Sequence, residues 1–209
     1  MNKRELTDDI LKELFNISVG KAADMLSEII NKKIVLSVPD VEILGVKNKE
    51  FKLNNCLPKV LDGTLMVSSI SFEKNLTGKA NLIFPVKKMR TFINLCLNEE
   101  ENNCQMNFTD VDFDIIKEVG NIILNCIIGE VGNFLAIDLN YTLPEVKVFN
   151  RIDFSKDIEN NEDMHILLLY ITFIIDETEI EGAIIIDLTF NSLNELIKKI
   201  DALEDKLYE

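Results

Sequence analysis

Between residues 6 and 30 the apolar positions fall at Ile10/Leu11, Leu14/Phe15, Ala22, Met25/Leu26 and Ile29/Ile30. Spacings of three and four lay a single apolar stripe along a helix, with Leu11, Leu14 and Met25 on it. Thr7 is placed to cap this helix, and Asp8 and Asp9 suit the positive end of its dipole. The period then drops to two. Ile34, Leu36 and Val38, then Val41 and Ile43, predict a strand over 33–46 that Pro39 interrupts, so the proline belongs at an edge or a bulge. Residues 47–62 are polar and contain Asn54, Asn55 and Pro58, the marks of an irregular connection. Strands over 64–72 and 78–84, joined by Glu73-Lys74-Asn75, form a hairpin pattern. Pro85 then opens a helix over 86–97, where a missing N–H costs nothing, and 98–103 is a linker.

The same succession follows again. A helix begins after Thr109, with Asp112 as capping-box partner, and carries Ile115/Ile116, Val119, Ile122/Ile123, Cys126/Ile127 and Val131 on its apolar side. A strand over 136–148, a polar loop over 150–163, strands over 164–175 and 179–188 and a helix over 192–207 complete the chain. Two passes of helix, strand, hairpin and helix predict one domain over 1–209 made of two repeats, about 6–97 and 109–207, packed about a pseudo-two-fold axis. Hairpin connections point to an antiparallel β-sheet flanked by long helices, an α+β fold.

Charge narrows the function. A net charge of −14 without a basic block disfavours nucleic acid and membrane surfaces, both of which are bound through clustered Lys and Arg. No apolar stretch follows the basic residues at the start, so no secretory signal is expected. The longest apolar run, 166–175, is too short to span a bilayer as a helix. These features predict a cytoplasmic protein without membrane insertion. Cys56, Cys96, Cys104 and Cys126 form no C-x-x-C pair and are read as buried or half-buried free thiols, with no zinc site. His165, beside a strand-like apolar run, is read as a packed structural residue.

The candidate chemistry lies in a motif written twice. Asp9, Glu13 and Asn16 are followed after 22 residues by Pro39, and Asp114, Glu118 and Asn121 after 22 by Pro144. Glu-x-x-Asn alone occurs six times in the chain. Requiring Asp or Ser four residues ahead leaves three, since the stretch from Asp24 through Glu28 to Asn31 also passes. Requiring the distant proline removes that one, because Asn54 stands there. The two survivors hold matching places in the duplication. Asp9, Glu13 and Asn16 fall within an arc of about 60° on the helix, offset from the apolar stripe and open to solvent. A carboxamide can hold a water for attack, and a carboxylate can dock on a cation of another molecule. Such a pair suits a protein that completes an active site held mainly by its partner.

These residues resemble the signature of the chemotaxis phosphatases of the CheC, CheX and FliY group: Asp or Ser, three residues, Glu, two residues, Asn, 22 residues, Pro. The stretches from Asn16 to Ala23 and from Glu118 to Ile122 are similar to that family's two characteristic segments, and two sites in a short chain resemble the CheC type. The resemblance implies an enzyme, a phosphatase that hydrolyses the phospho-aspartate of a CheY-like response regulator in two-component signalling. No cofactor would be bound by this chain, and magnesium would be held by the response regulator. Asn16 and Asn121 would orient the attacking water, and Glu13 and Glu118 would pair with a lysine of the partner. Asp9 and Asp114 would tune or cap their helices, while Pro39 and Pro144 would shape the support beneath. Phe15 stands where that family often has glycine, as the second copy does at Gly120, which implies unequal sites through an altered approach of the partner. The alternative is an adaptor, weakly catalytic or inert, that binds the deamidase CheD or the flagellar switch.

Overall fold

A computed structural model describes residues 3–45, 53–97, 108–159 and 164–207. Its elements are α1 (Lys3–Ile30), β1 (Ile34–Gly45), α2 (Leu53–Cys56), a 3-10 turn (Lys59–Leu61), β2 (Thr64–Lys74), β3 (Gly78–Pro85) and α3 (Val86–Leu97). They continue as α4 (Asp110–Leu135), β4 (Leu139–Tyr141), β5 (Glu145–Asn150), α5 (Arg151–Glu159), β6 (Met164–Ile175), β7 (Thr178–Thr189) and α6 (Phe190–Leu207). The fold is α+β, with an antiparallel sheet and helices, as the hydrophobic pattern predicts.

The strands form one sheet of seven in the order β1-β6-β7-β3-β2, with β4 and β5 both paired to the outer side of β2. β1 pairs with β6, and β4 and β5 pair with β2, so each edge of the sheet comes from the opposite half of the chain to its neighbour. One face carries the larger core, where Leu11, Phe15 and Leu26 of α1, Phe92 of α3, Ile123 and Ile127 of α4 and Leu196 of α6 cover Ile70, Leu82 and Phe173. The other face holds a smaller core of Leu53, Leu57, Leu61, Phe154 and Ile158 against Leu65, Ile83, Leu168 and Ile185.

Local chemistry fixes α4 firmly. Asp112 N donates to Thr109 Oγ1 while Asp112 takes the Thr109 N–H at 2.7 Å, the predicted capping box. Gly120 permits the close crossing over β2: a Cβ there would lie 2.5 Å from Ser68 Cβ and 2.1 Å from its Oγ. Phe15, at the matching place in α1, is fully buried in the larger core. The Phe15/Gly120 difference is therefore one of helix-to-sheet packing, and the expected hindrance of a partner's approach does not apply.

Other expectations are corrected. Residues 150–163 are not all loop, because α5 occupies most of them: Asp153 N donates to Asn150 Oδ1 at the start of the helix, and Phe154 and Ile158, four apart, are buried. The connection over 47–62 contains α2 and the 3-10 turn, its residues 47–52 lying outside the described ones. The strand expected over 136–148 is split into β4 and β5 around Pro144, since α4 runs on to Leu135 and proline gives the ladder no donor. Met25 is not on the buried stripe but 47% exposed. The linker at 98–103 and Cys104 lie outside the described residues.

Candidate functional site

α1 and α4 lie side by side and antiparallel. Lys21 pairs with Glu130, and Cys126 Sγ lies 3.8 Å from Met25 Sδ. With those pairs in register, Asn16 and Asn121 are about 20 Å apart along the helix axes at about 1.5 Å per residue. The two motif copies are thus two separate patches. In both, the acidic members Asp9 and Glu13, or Asp114 and Glu118, are exposed and the asparagine is half-buried. Among the described residues neither Glu13 nor Glu118 is held in an ion pair, so each carboxylate is available to an external cation.

The asparagines are engaged differently. Asn16 Nδ2 donates to Lys12 O at 2.8 Å and to Val38 O at 3.0 Å, and Asn16 Oδ1 accepts the Val38 N–H at 2.9 Å. Its carboxamide thus takes both peptide groups of one residue of β1. The cause is Pro39. The β1–β6 register shifts between Ser37 and Asp40, so Val38 is left out of the ladder. Buried Val38 must satisfy its N–H and C=O elsewhere, and Asn16 does so. Lys12 reinforces the junction through Asp40 at 2.9 Å. That hydrogen bond raises the Lys12 pKa despite opposing desolvation, and the charges of Asp40, Asp9 and Asp8 add to it.

On α4 this arrangement is missing. Pro144 is buried between β4 and β5, and Leu143, the counterpart of Val38, is 83% exposed. The local ladder is closed by Thr142, whose N–H donates to Ser71 O and whose Oγ1 accepts the Ser71 N–H. Asn121 is therefore free of the sheet. Its Oδ1 accepts Asn125 Nδ2 at 2.7 Å, and its own Nδ2 donates to nothing among the described residues. The repeated motif does not include Asn125, because the first copy has Gly20 at that place; a second carboxamide one turn beyond Asn121 is the signal the sequence carries.

The start of α4 is tied to α3. Arg90 binds both oxygens of Asp112 at 3.1 Å and lies 4.8 Å from the centroid of the Phe108 ring. Burial works against the Asp112 carboxylate, but the bonds from Thr109 and Arg90 outweigh it and hold the group below the usual carboxylate range. His165 is buried beside the Phe190 ring, in keeping with a structural residue. Cys96 and Cys126 are half-buried free thiols, and Cys56 is half-buried as well. Among the described residues, no three His, Cys, Asp or Glu side chains stand together as metal ligands, and no helix is long and apolar enough to cross a membrane.

Residues 6–43, which contain Asp9, Glu13, Asn16 and Pro39, match a model of the CheC-like family. Over 144 residues the chain is 24% identical to the CheY-P phosphatase CheC of Bacillus subtilis (strain 168), an alignment covering 67% of this chain and 65% of that relative's length. The crystal structure of Thermotoga maritima FliY superposes with a TM-score of 0.73 at 17% identity, covering 97% of this chain and 98% of that one. A chain of the FliG-FliM complex from H. pylori superposes at 0.64 and 12% identity, over 95% and 100%. At these identities the structural matches establish a shared fold.

Proposed function

We propose, for a chain that belongs to the CheC-like family, that it acts as a protein phospho-aspartate phosphatase on a CheY-like response regulator. Asn121 carries this reading. It is a carboxamide with uncommitted Nδ2 protons, on a helix whose Glu118, one turn earlier, is exposed and not ion-paired. Glu118 docks on a cation beside the partner's phosphorylated pocket, and a charge pair shielded from water in the complex is worth more than one in solvent. Asn121 holds a water in line with the phosphorus. The water oxygen bonds to phosphorus as the bond to the aspartyl oxygen breaks, giving the free aspartate carboxylate and dihydrogen phosphate. No proton passes through Asn121, so the chain's contribution is orientation. Magnesium in this reading is the partner's ion.

The α1 copy, Glu13 and Asn16, has the same residues but both Asn16 donors are occupied. It enters the reaction only when Asn16 releases Lys12 O or Val38 O, and its share of turnover is the smaller. Asp9 and Asp114 set the local negative potential, while Pro39 and Pro144 shape the strands beneath the two helices.

The test is decay of a phosphorylated CheY-type regulator with catalytic amounts of this protein. Acceleration that disappears in N121A while the fold is kept supports the reading. No acceleration, together with stoichiometric binding to CheD or to a flagellar switch component, hands the protein to the adaptor reading.

A further inference from the structure

Asn125 breaks a local rule of helix chemistry. It sits in α4 among Leu124, Ile127 and Ile128, all buried, and its Oδ1 is itself buried and accepts no hydrogen bond among the described residues. A buried carbonyl oxygen without a partner is destabilising. At the matching place in α1 the sequence has Gly20, around which a Cβ would meet open space. An apolar side chain or alanine would therefore serve α4 better as structure. The one side-chain hydrogen bond Asn125 makes among the described residues is the 2.7 Å donation from Nδ2 to Asn121 Oδ1.

That bond settles which way the Asn121 carboxamide faces. An amide joined to its helix through a rotatable bond can present either its oxygen or its nitrogen outward. With Oδ1 taken by a donor one turn away, the Nδ2 protons and the second Oδ1 lone pair are what remain for a ligand. The α1 copy has no such neighbour, and there the carboxamide turns to Val38 instead. We infer that Asn125 is a positioning residue of the α4 patch, which holds the Asn121 carboxamide in one orientation with its NH2 group presented to the partner's phosphoryl group and water. This rests on the reading of Asn121 given above.

Three substitutions at one position test it, each measured by decay of a CheY-type regulator phosphorylated with acetyl phosphate, at saturating regulator. N125A removes the donor and lowers kcat about three- to tenfold, the worth of one hydrogen bond, while KM stays within about twofold. Alanine is also a better helix former, so the melting temperature does not fall. N125D is nearly isosteric but can only accept; it draws an Asn121 Nδ2 proton to itself, turns the carboxamide over and lowers kcat further than N125A does. N125Q keeps a donor amide and recovers most of the loss. A purely structural role predicts the reverse order, with the isostere milder than the truncation and the effect in thermal stability. N125D as fast as wild type overturns the positioning role while leaving Asn121 in place. A wild-type protein that does not accelerate decay overturns the phosphatase reading itself. Independently of turnover, the side-chain amide of Asn125 in 15N-labelled protein exchanges slowly and loses that protection in N121A. A protected Asn121 amide in its place would show the opposite orientation and overturn the inference.

Discussion

Asp187 is 1% exposed on β7, and replacing it with asparagine gives a prediction that does not depend on any function. Its Oδ2 accepts from Asn81 Nδ2 at 3.4 Å, and its Oδ1 accepts nothing among the described residues. Burial pushes the carboxyl up from 3.8 to about 7; Lys79, its cross-strand partner, and the Asn81 bond pull the other way, and Asp157 adds to the rise. That rise corresponds to about 4 kcal/mol between the charged and neutral forms. The sign follows from proton counting. Between about pH 4 and 7 the native state keeps a proton that the unfolded chain has lost, so stability falls as pH rises, and the full cost is present above about 7. D187N cannot ionise, but it leaves an amide nitrogen where Oδ1 stood, at about 1–3 kcal/mol. The variant is therefore more stable than wild type at pH 8 by about 1–3 kcal/mol, and no more stable, or less, at pH 4. Urea unfolding at both values measures the difference directly. An equal effect of D187N at pH 4 and pH 8 would refute the reasoning, because it would mean that Asp187 titrates alike in the folded and unfolded chains.

Two further substitutions probe the asymmetry of the helix pair. N16A strands the buried N–H and C=O of Val38, so stability falls by about 2–3 kcal/mol and the Val38 amide loses its protection from hydrogen exchange, while N121A leaves that amide protected; turnover falls less in N16A than in N121A. G120A drives a methyl group into Ser68 and costs at least about 1–3 kcal/mol by overpacking, and the double variant G120A/S68G recovers most of this in thermal unfolding.

Where a local chemical cause acts alone, the sequence is mostly readable, although Thr7, expected to cap α1, lies inside a helix that begins at Lys3. Thr109 and Asp112 three residues apart marked the start of α4, Pro85 marked the start of α3, and alternation over 64–72 and 78–84 marked the hairpin of β2 and β3. The misread segments are those decided by tertiary contact. The helix at 151–159 is hidden by its charge, since Phe154 and Ile158 are its only residues in the smaller core, and they need the second sheet face to bury against. Met25 matched the apolar period but sits where α1 meets α4, beside Cys126, and not over the sheet. The paired motif was legible as a repeat because spacing is a property of the chain. What each asparagine binds was not, because it depends on whether the following proline releases a residue of β1 from its ladder or simply parts β4 from β5.

The exchange of edge strands between the halves has a consequence for how the chain reaches this state. Ile34 finds its partner at Ile175, near the other end of the chain, and Thr64 finds one at Asn150. A nascent chain that has emerged only as far as α3 has β2 and β3 as a closed hairpin but nothing to pair with β1, whose N–H and C=O row stays open until β6 is made. Contacts of such long separation make folding slow, and they place the closure of the sheet after synthesis of the second half. The same stitching means that a cut between α3 and α4 yields two fragments that are stable only when they recombine, because each holds the outer strand of the other.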